Sequence, residues 1–135
     1  MKKEFVPYEP ALKLKELGFD EPCFGNWQDM KEETPWFSKS YADNQNQYYG
    51  QLCSAPTFSQ AFRFFREKYD WQHSIDPTAD QHSHQLGYNY WIWNYKTGEE
   101  HYTMPKNRPT GDWEYKTYEE AELACLKKLI EIVKK

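Results

Sequence analysis

The chain has 135 residues and a formal net charge of −4. That acidity argues against duplex-DNA binding, which needs a cationic patch to displace counterions, while leaving a local basic face open. The length suits one domain spanning residues 1–135, enough to bury roughly two thirds of its unfolded surface without staples.

Aromatic residues dominate the apolar content, with six Trp, eleven Tyr and eight Phe. Rings of this size can carry a small core and leave some over. The cysteines, Cys23, Cys53 and Cys125, are odd in number, far apart and in no C-x-x-C pair. They read as small buried hydrophobes in a reducing compartment. "MKKEFVPYEP" lacks an apolar signal region, and no apolar run approaches the length of a membrane span. A cytoplasmic protein without membrane contact is expected.

In chain order, the first predicted helix runs from about Glu9 to Leu17. Pro10 suits its first turn, and Gly18 suits the left-handed position past its end. Phe19 can then fold back on Leu14. "CFGNW" (Cys23–Trp27) and "QYYGQLC" (Gln47–Cys53) are candidate strands, joined by a long polar loop from Gln28 to Asn46 that carries Trp36, Phe37 and Tyr41. A connection that long in a compact domain is often functional.

A second helix is predicted from Thr57 to Tyr69. Thr57 and Gln60 make a capping-box pair, and Phe58, Ala61, Phe62, Phe65 and Tyr69 form one apolar stripe that Phe64 widens. "WQHSI" (Trp71–Ile75) reads as a short strand, and "DPTADQHSHQ" as a polar loop. The third helix, Tyr118 to about Lys134, is capped by Thr117 with Glu120. Its apolar face centres on Ala121, Cys125, Leu129 and Ile132. Glu122 projects into the same arc and needs a partner or a route to solvent.

Between these helices lies "YNYWIWNYKTGEEHYTM" (Tyr88–Met104), an aromatic hairpin with large residues on both alternating faces. A two-residue turn over Thr97 and Gly98 would force Thr97 to positive φ, which a β-branched residue resists. A three-residue loop, Lys96-Thr97 followed by a left-handed Gly98, avoids this. It pairs Trp93 with His101 and Ile92 with Tyr102. Tyr88, Tyr90 and Ile92 then face the core, and Trp91, Trp93, Tyr95 and His101 face away. The two-residue turn would exchange the faces. Such an outward row is too apolar to leave wet without reason. It calls for a cover by the Gln28–Asn46 loop, with Trp36 and Phe37 on top, or for a partner.

Other chemistry is thin. His82 and His84 in "DQHSH" have the alternate spacing that lets two imidazoles share a metal, but no further ligand is evident and no known zinc spacing is present. An ordinary polar loop accounts for them, and no cofactor is implied. There is no nucleophile elbow and no Gly-rich phosphate loop, and Cys53 and Cys125 sit at inward positions that suit no reactive thiolate. The balance leans away from an enzyme. Base stacking on the same rings would need a basic groove. Only Lys96 lies close, with Lys106, Arg108, Arg63 and Arg66 farther off in sequence.

"YEPALKLKELGFDEPCFG", "APTFSQAFRFFREKYDW" and "YKTYEEAELACLKKLIEIVKK" together resemble a family of small proteins of bacteriophages and Bacteroides-type gut bacteria. The resemblance covers about half the chain. It implies a phage or prophage origin and an intracellular setting, and assigns no activity or catalytic residues.

The expected fold is therefore α+β: an antiparallel sheet of four to five strands with three helices packed mainly on one face. The expected function is non-enzymatic binding through protein contact, to an unknown partner or a second copy. Its surface is Trp91, Trp93, Tyr95 and His101, with Trp36 and Phe37. Single-stranded nucleic-acid binding is the alternative, and a metal-dependent enzyme around His82 and His84 the third.

Overall fold

The computed structural model describes residues 4–27, 35–37, 53–79, 84–103 and 113–134. Their elements run, in chain order, α1 (Tyr8–Glu16), β1 (Gly25–Trp27), β2 (Trp36–Phe37), β3 (Cys53–Ala55), α2 (Phe58–Tyr69), β4 (Trp71–Ala79), β5 (Leu86–Asn94), β6 (Glu100–Tyr102) and α3 (Tyr118–Lys134). The class is α+β, as expected. The single sheet of four to five strands is not formed. The strands make two three-stranded antiparallel sheets, ordered β2-β1-β3 and β4-β5-β6. The chain divides into two compact units, Met1–Phe64 with Ile132–Lys135, and Phe65–Glu131. Each holds one sheet.

In the first unit, α1 ends as its sequence dictates. Gly18 takes φ +99°, its N–H bonds the Lys15 carbonyl, and the Phe19 N–H bonds the Leu14 carbonyl. These two bonds form a Schellman motif, which satisfies carbonyls the helix end would orphan. Phe19 is thereby turned inward, where it meets Phe64 edge-on at 5.5 Å between ring centroids. The capping box at the start of α2 forms in both directions: the Gln60 N–H donates to Thr57 Oγ1 at 3.2 Å, and the Thr57 N–H to Gln60 Oε1 at 3.0 Å. The Gln60 amide also donates to the Pro22 carbonyl, fixing the turn before β1.

All residues of β1 and β3 are buried. The Trp27 indole N–H is satisfied by the Val6 carbonyl at 3.1 Å. The anticipated loop 28–46 contains a strand, β2, because Gly25 and Asn26 of β1 pair with Phe37 and Trp36. Residues 28–34 and 38–46 of that loop lie outside the described residues, and so does its anticipated cover over the aromatic row.

In the second unit, β5 is the central strand. β4 pairs with it along its whole length, from Trp71 opposite Asn94 to Ala79 opposite Leu86. The strand runs straight through Asp76-Pro77, a dipeptide that reads as a turn in isolation. Proline is tolerated here because β4 is an edge of this sheet and its missing N–H leaves no ladder bond unmade on the inner side. Beyond β6 the other side of β5 is completed by an isolated bridge, with Tyr88 and Tyr115 exchanging backbone bonds of 2.7 and 3.0 Å.

Burial alternates from Tyr90 to Asn94 of β5. Tyr90, Ile92 and Asn94 are buried and Trp91 is exposed, with Ile92 at 0% and Trp91 at 40%. The ring of Tyr118, on α3, meets Tyr88 edge-on at 5.8 Å, so the even-numbered face is the core face. Within α3, Ala121, Cys125, Leu126, Leu129 and Ile130 are buried. The Glu120 N–H donates to Thr117 Oγ1 as the capping pattern requires, while the Glu120 carboxylate reaches the Lys116 N–H.

Candidate functional site

The hairpin loop decides which side chains share a face. Gly98 is left-handed, φ +80°, as its position before β6 predicts. The loop, however, has four residues, Tyr95 to Gly98, closed by Gly98 N–H to the Asn94 carbonyl at 2.8 Å and Asn94 N–H to the Glu99 carbonyl at 2.8 Å. The cause is the Asn94 side chain. Its Oδ1 accepts from the Lys96 and Thr97 N–H groups at 3.0 and 3.2 Å, and its amide donates to the Tyr69 carbonyl at the end of α2 at 3.0 Å. A buried Asn that caps the turn draws Tyr95 into it.

One extra loop residue shifts β6 by one and turns each of its side chains to the other face. The pairs are Trp91 with Tyr102, Ile92 with His101 and Trp93 with Glu100. His101 therefore does not join the outward row. It lies on the core side, 6.1 Å from the Trp71 ring, with its Nε2 against Glu99 Oε2 at 2.9 Å. Tyr102 takes its place outside and is 56% exposed. Tyr95 sits at the loop, its ring exposed and its hydroxyl donated to Asp70 Oδ1 at 3.2 Å. Asp70 is left-handed (φ 64°) and also pairs with Lys96 at 3.3 Å, so Tyr95 belongs to a clasp between hairpin tip and helix end.

The outward face of this sheet is then built from alternate residues of three strands. Trp91 is at its centre, opposite Ser74 on β4 and Tyr102 on β6. Its ring stacks on that of Trp93, centroids 4.3 Å apart and planes 31° off parallel. Asp76 and Glu100 stand diagonally to either side. Glu100 Oε2 accepts the Trp91 indole N–H at 3.0 Å, and Asp76 Oδ2 accepts the Ser74 hydroxyl at 3.1 Å. A concavity of about 430 Å³ lies over this face, with Asp76, Asn89, Trp91, Glu100 and Tyr102 among its lining residues.

Asn89 makes its floor. The amide donates to Thr78 Oγ1 at 3.4 Å, and Oδ1 accepts from the Thr103 hydroxyl at 3.2 Å and the Glu114 N–H at 3.0 Å. Gly87 extends the same face, and the ring of Trp113 lies so close that a Cβ at Gly87 would fall within it. The Trp113 indole N–H donates to the Gln85 carbonyl at 3.2 Å. Sequence reasoning missed Asp76, Asn89, Glu100, Tyr102 and Trp113. Asp76 was hidden by Pro77 and Tyr102 by the register. Only the bare Gly87, unusual inside a strand, signalled a close approach from elsewhere.

Of the remaining expected site residues, Trp36 and Phe37 belong to the first unit's sheet and are not joined to Trp91 and Trp93 in one sheet. His82 lies outside the described residues. His84 is exposed and left-handed (φ 57°). Among the described residues no cluster of three metal-ligating side chains occurs. All three cysteines are buried and none is in a disulfide, and burial pushes the thiols of Cys23 and Cys53 up to about 12 and raises that of Cys125 as well. Thiols so shielded are poor nucleophiles at neutral pH. His73, opposite Ile92 on the core side, is lowered to about 4, first by burial and then by the Arg66 charge.

No helix among the described residues is long and apolar enough to cross a membrane. No family model, no curated protein and no solved structure matches this chain.

Proposed function

We propose that this protein is a non-enzymatic binding module acting through protein–protein contact, and that the outward face of β4-β5-β6 is its contact surface. The observation that carries this is the Trp91–Trp93 ring pair, with Trp91 exposed, on the central strand of a sheet whose other face buries Tyr90, Ile92 and Asn94. Aromatic anchors of this kind dominate interface energies once a partner desolvates them. A phage- or prophage-encoded accessory protein working in the bacterial cytoplasm fits the resemblance of its three helical segments.

The charge on the face favours a protein over a nucleic-acid strand. Its strand residues include Asp76 and Glu100, and among the described residues no Lys or Arg. Arg63 is engaged with Glu21 at 3.1 Å, and Arg66 lies beside His73 on the opposite side of the sheet. Phosphates brought to these rings would meet two carboxylates with no compensating cation among the described residues of the face.

The test replaces both indoles, Trp91→Ser with Trp93→Ser. Native-host crosslinking, with gel filtration for self-association, should show adducts or oligomers for the parent that the double variant loses, while its unfolding transition stays cooperative. Association unchanged by the double substitution removes this surface. Quenching of indole fluorescence by an oligonucleotide, abolished by raised salt, would transfer the face to single-strand binding.

A further inference from the structure

The chemistry of the partner can be read from the two carboxylates that frame Trp91. We infer that this face receives an arginine side chain carried on an extended segment of a partner protein. The inference rests on the contact surface proposed above and adds the identity of the group it grips.

Asp76 and Glu100 each hold one neutral hydrogen bond, to the Ser74 hydroxyl and the Trp91 indole. Neither is in an ion pair among the described residues, whereas Glu21, Asp70 and Glu16 elsewhere each have a Lys or Arg within 4 Å. One oxygen of each carboxylate thus remains available, and both side chains line the same concavity. Between them stand the exposed rings of Trp91 and Tyr102, directly opposite one another across β5 and β6.

A planar cation fits this combination better than any other common group. A guanidinium stacks on an indole or phenol face and at the same time donates N–H groups from its edge to the available oxygen of a neighbouring carboxylate. An ammonium can serve the charge but not the stacking plane. A neutral sugar could use the rings yet would not need two charged carboxylates. A phosphate would be repelled. Asp76, opposite Asn89, and Glu100, opposite Trp93, lie two strands and four β5 residues apart, roughly 16 Å between backbones, but each is a diagonal neighbour of Trp91 at roughly 8 Å, so an arginine stacked on that ring sits between the two carboxylates.

The experiment titrates the intact protein with a short unstructured peptide bearing two arginines, and with its lysine and citrulline counterparts. Indole fluorescence and the Trp91 side-chain N–H resonance are followed at low and moderate salt. The arginine peptide should bind saturably, several-fold tighter than the lysine peptide. The citrulline peptide, which keeps the shape and loses the charge, should lose at least tenfold. Glu100→Gln retains an acceptor for the indole and Asp76→Asn one for Ser74, so both should fold as the parent does while weakening the arginine peptide threefold or more. Equal binding of the citrulline peptide, no effect of Glu100→Gln, or preferential binding of oligothymidylate or a neutral oligosaccharide overturns the inference. Failure to bind any arginine peptide at millimolar concentration also overturns it. If the Trp91/Trp93 double variant still abolishes association in that case, the contact surface stands and only the nature of the gripped group falls.

Discussion

In β1 and β3 every residue is buried, whereas from Tyr90 to Asn94 of β5 buried residues alternate with more exposed ones. β1 and β3 are covered on both faces. The second sheet is covered on one, by a core of Tyr90, Ile92 and Asn94, and presents Trp91 and Tyr102 on the other. Large rings occur in both sheets, so aromatic content alone does not mark a recognition surface. What sets the proposed surface apart is the combination of a period-two burial pattern with rings on its wet phase.

That contrast can be broken most sharply at Ile92. Ile92→Ala on the closed face should cost about 2–5 kcal/mol in urea unfolding, through lost burial and an unfilled cavity. A cost under about 1 kcal/mol would show that the two faces of β5 have been exchanged.

Acid tests the same closed face. Burial holds the His73 imidazole near 4 against an ordinary 6.5. Between those values the unfolded chain takes up a proton that the folded chain refuses, so this contribution to stability is whole above pH 6.5 and is lost as pH falls toward 4. Its ceiling is about 3 kcal/mol, reduced because the ring is partly exposed. His73→Phe should flatten that part of the curve, measured as the urea midpoint at pH 7.5 and 4.5. Parallel curves for parent and variant would mean that water reaches His73.

Gly87→Ala probes the open face. Its new methyl must displace the Trp113 ring, at a cost of about 1–3 kcal/mol and with a shifted Trp113 indole resonance. An unshifted resonance would place Trp113 elsewhere. The smallest effect is expected at Trp91→Ser, which forfeits mainly the stack on Trp93, worth about 0.5–1.5 kcal/mol. A loss as large as that of Ile92→Ala would make Trp91 a core residue.

The local devices of this fold were legible without coordinates. Gly18 with Phe19, Thr57 with Gln60, and Thr117 with Glu120 act within a few residues of themselves, and sequence spacing captures them. The outward phase of Trp91 was anticipated, but by way of a three-residue loop that does not form; a left-handed Gly98 is compatible with the four-residue loop as well and does not choose the face by itself. The rest depends on contacts remote in sequence. The single-residue shift of β6, which moves His101 inward and Tyr102 outward, comes from Asn94 bonding both its own turn and the Tyr69 carbonyl. The seat of Trp113 on Gly87 joins positions far apart in the chain. The split into two sheets is likewise set by strand partners that no local pattern specifies, and Pro77 disguised the second half of β4.

The four-residue loop at the hairpin tip also sets how this protein can diversify. Because strand side chains alternate, removing a single loop codon would rotate β6 by half a pleat. Glu100 and Tyr102 would be sent inside and His101 brought out beside the indoles. An acidic face would become one bearing an imidazole, with no substitution in any strand. Small length changes at this tip are therefore the shortest evolutionary route by which the chemistry of this face could change.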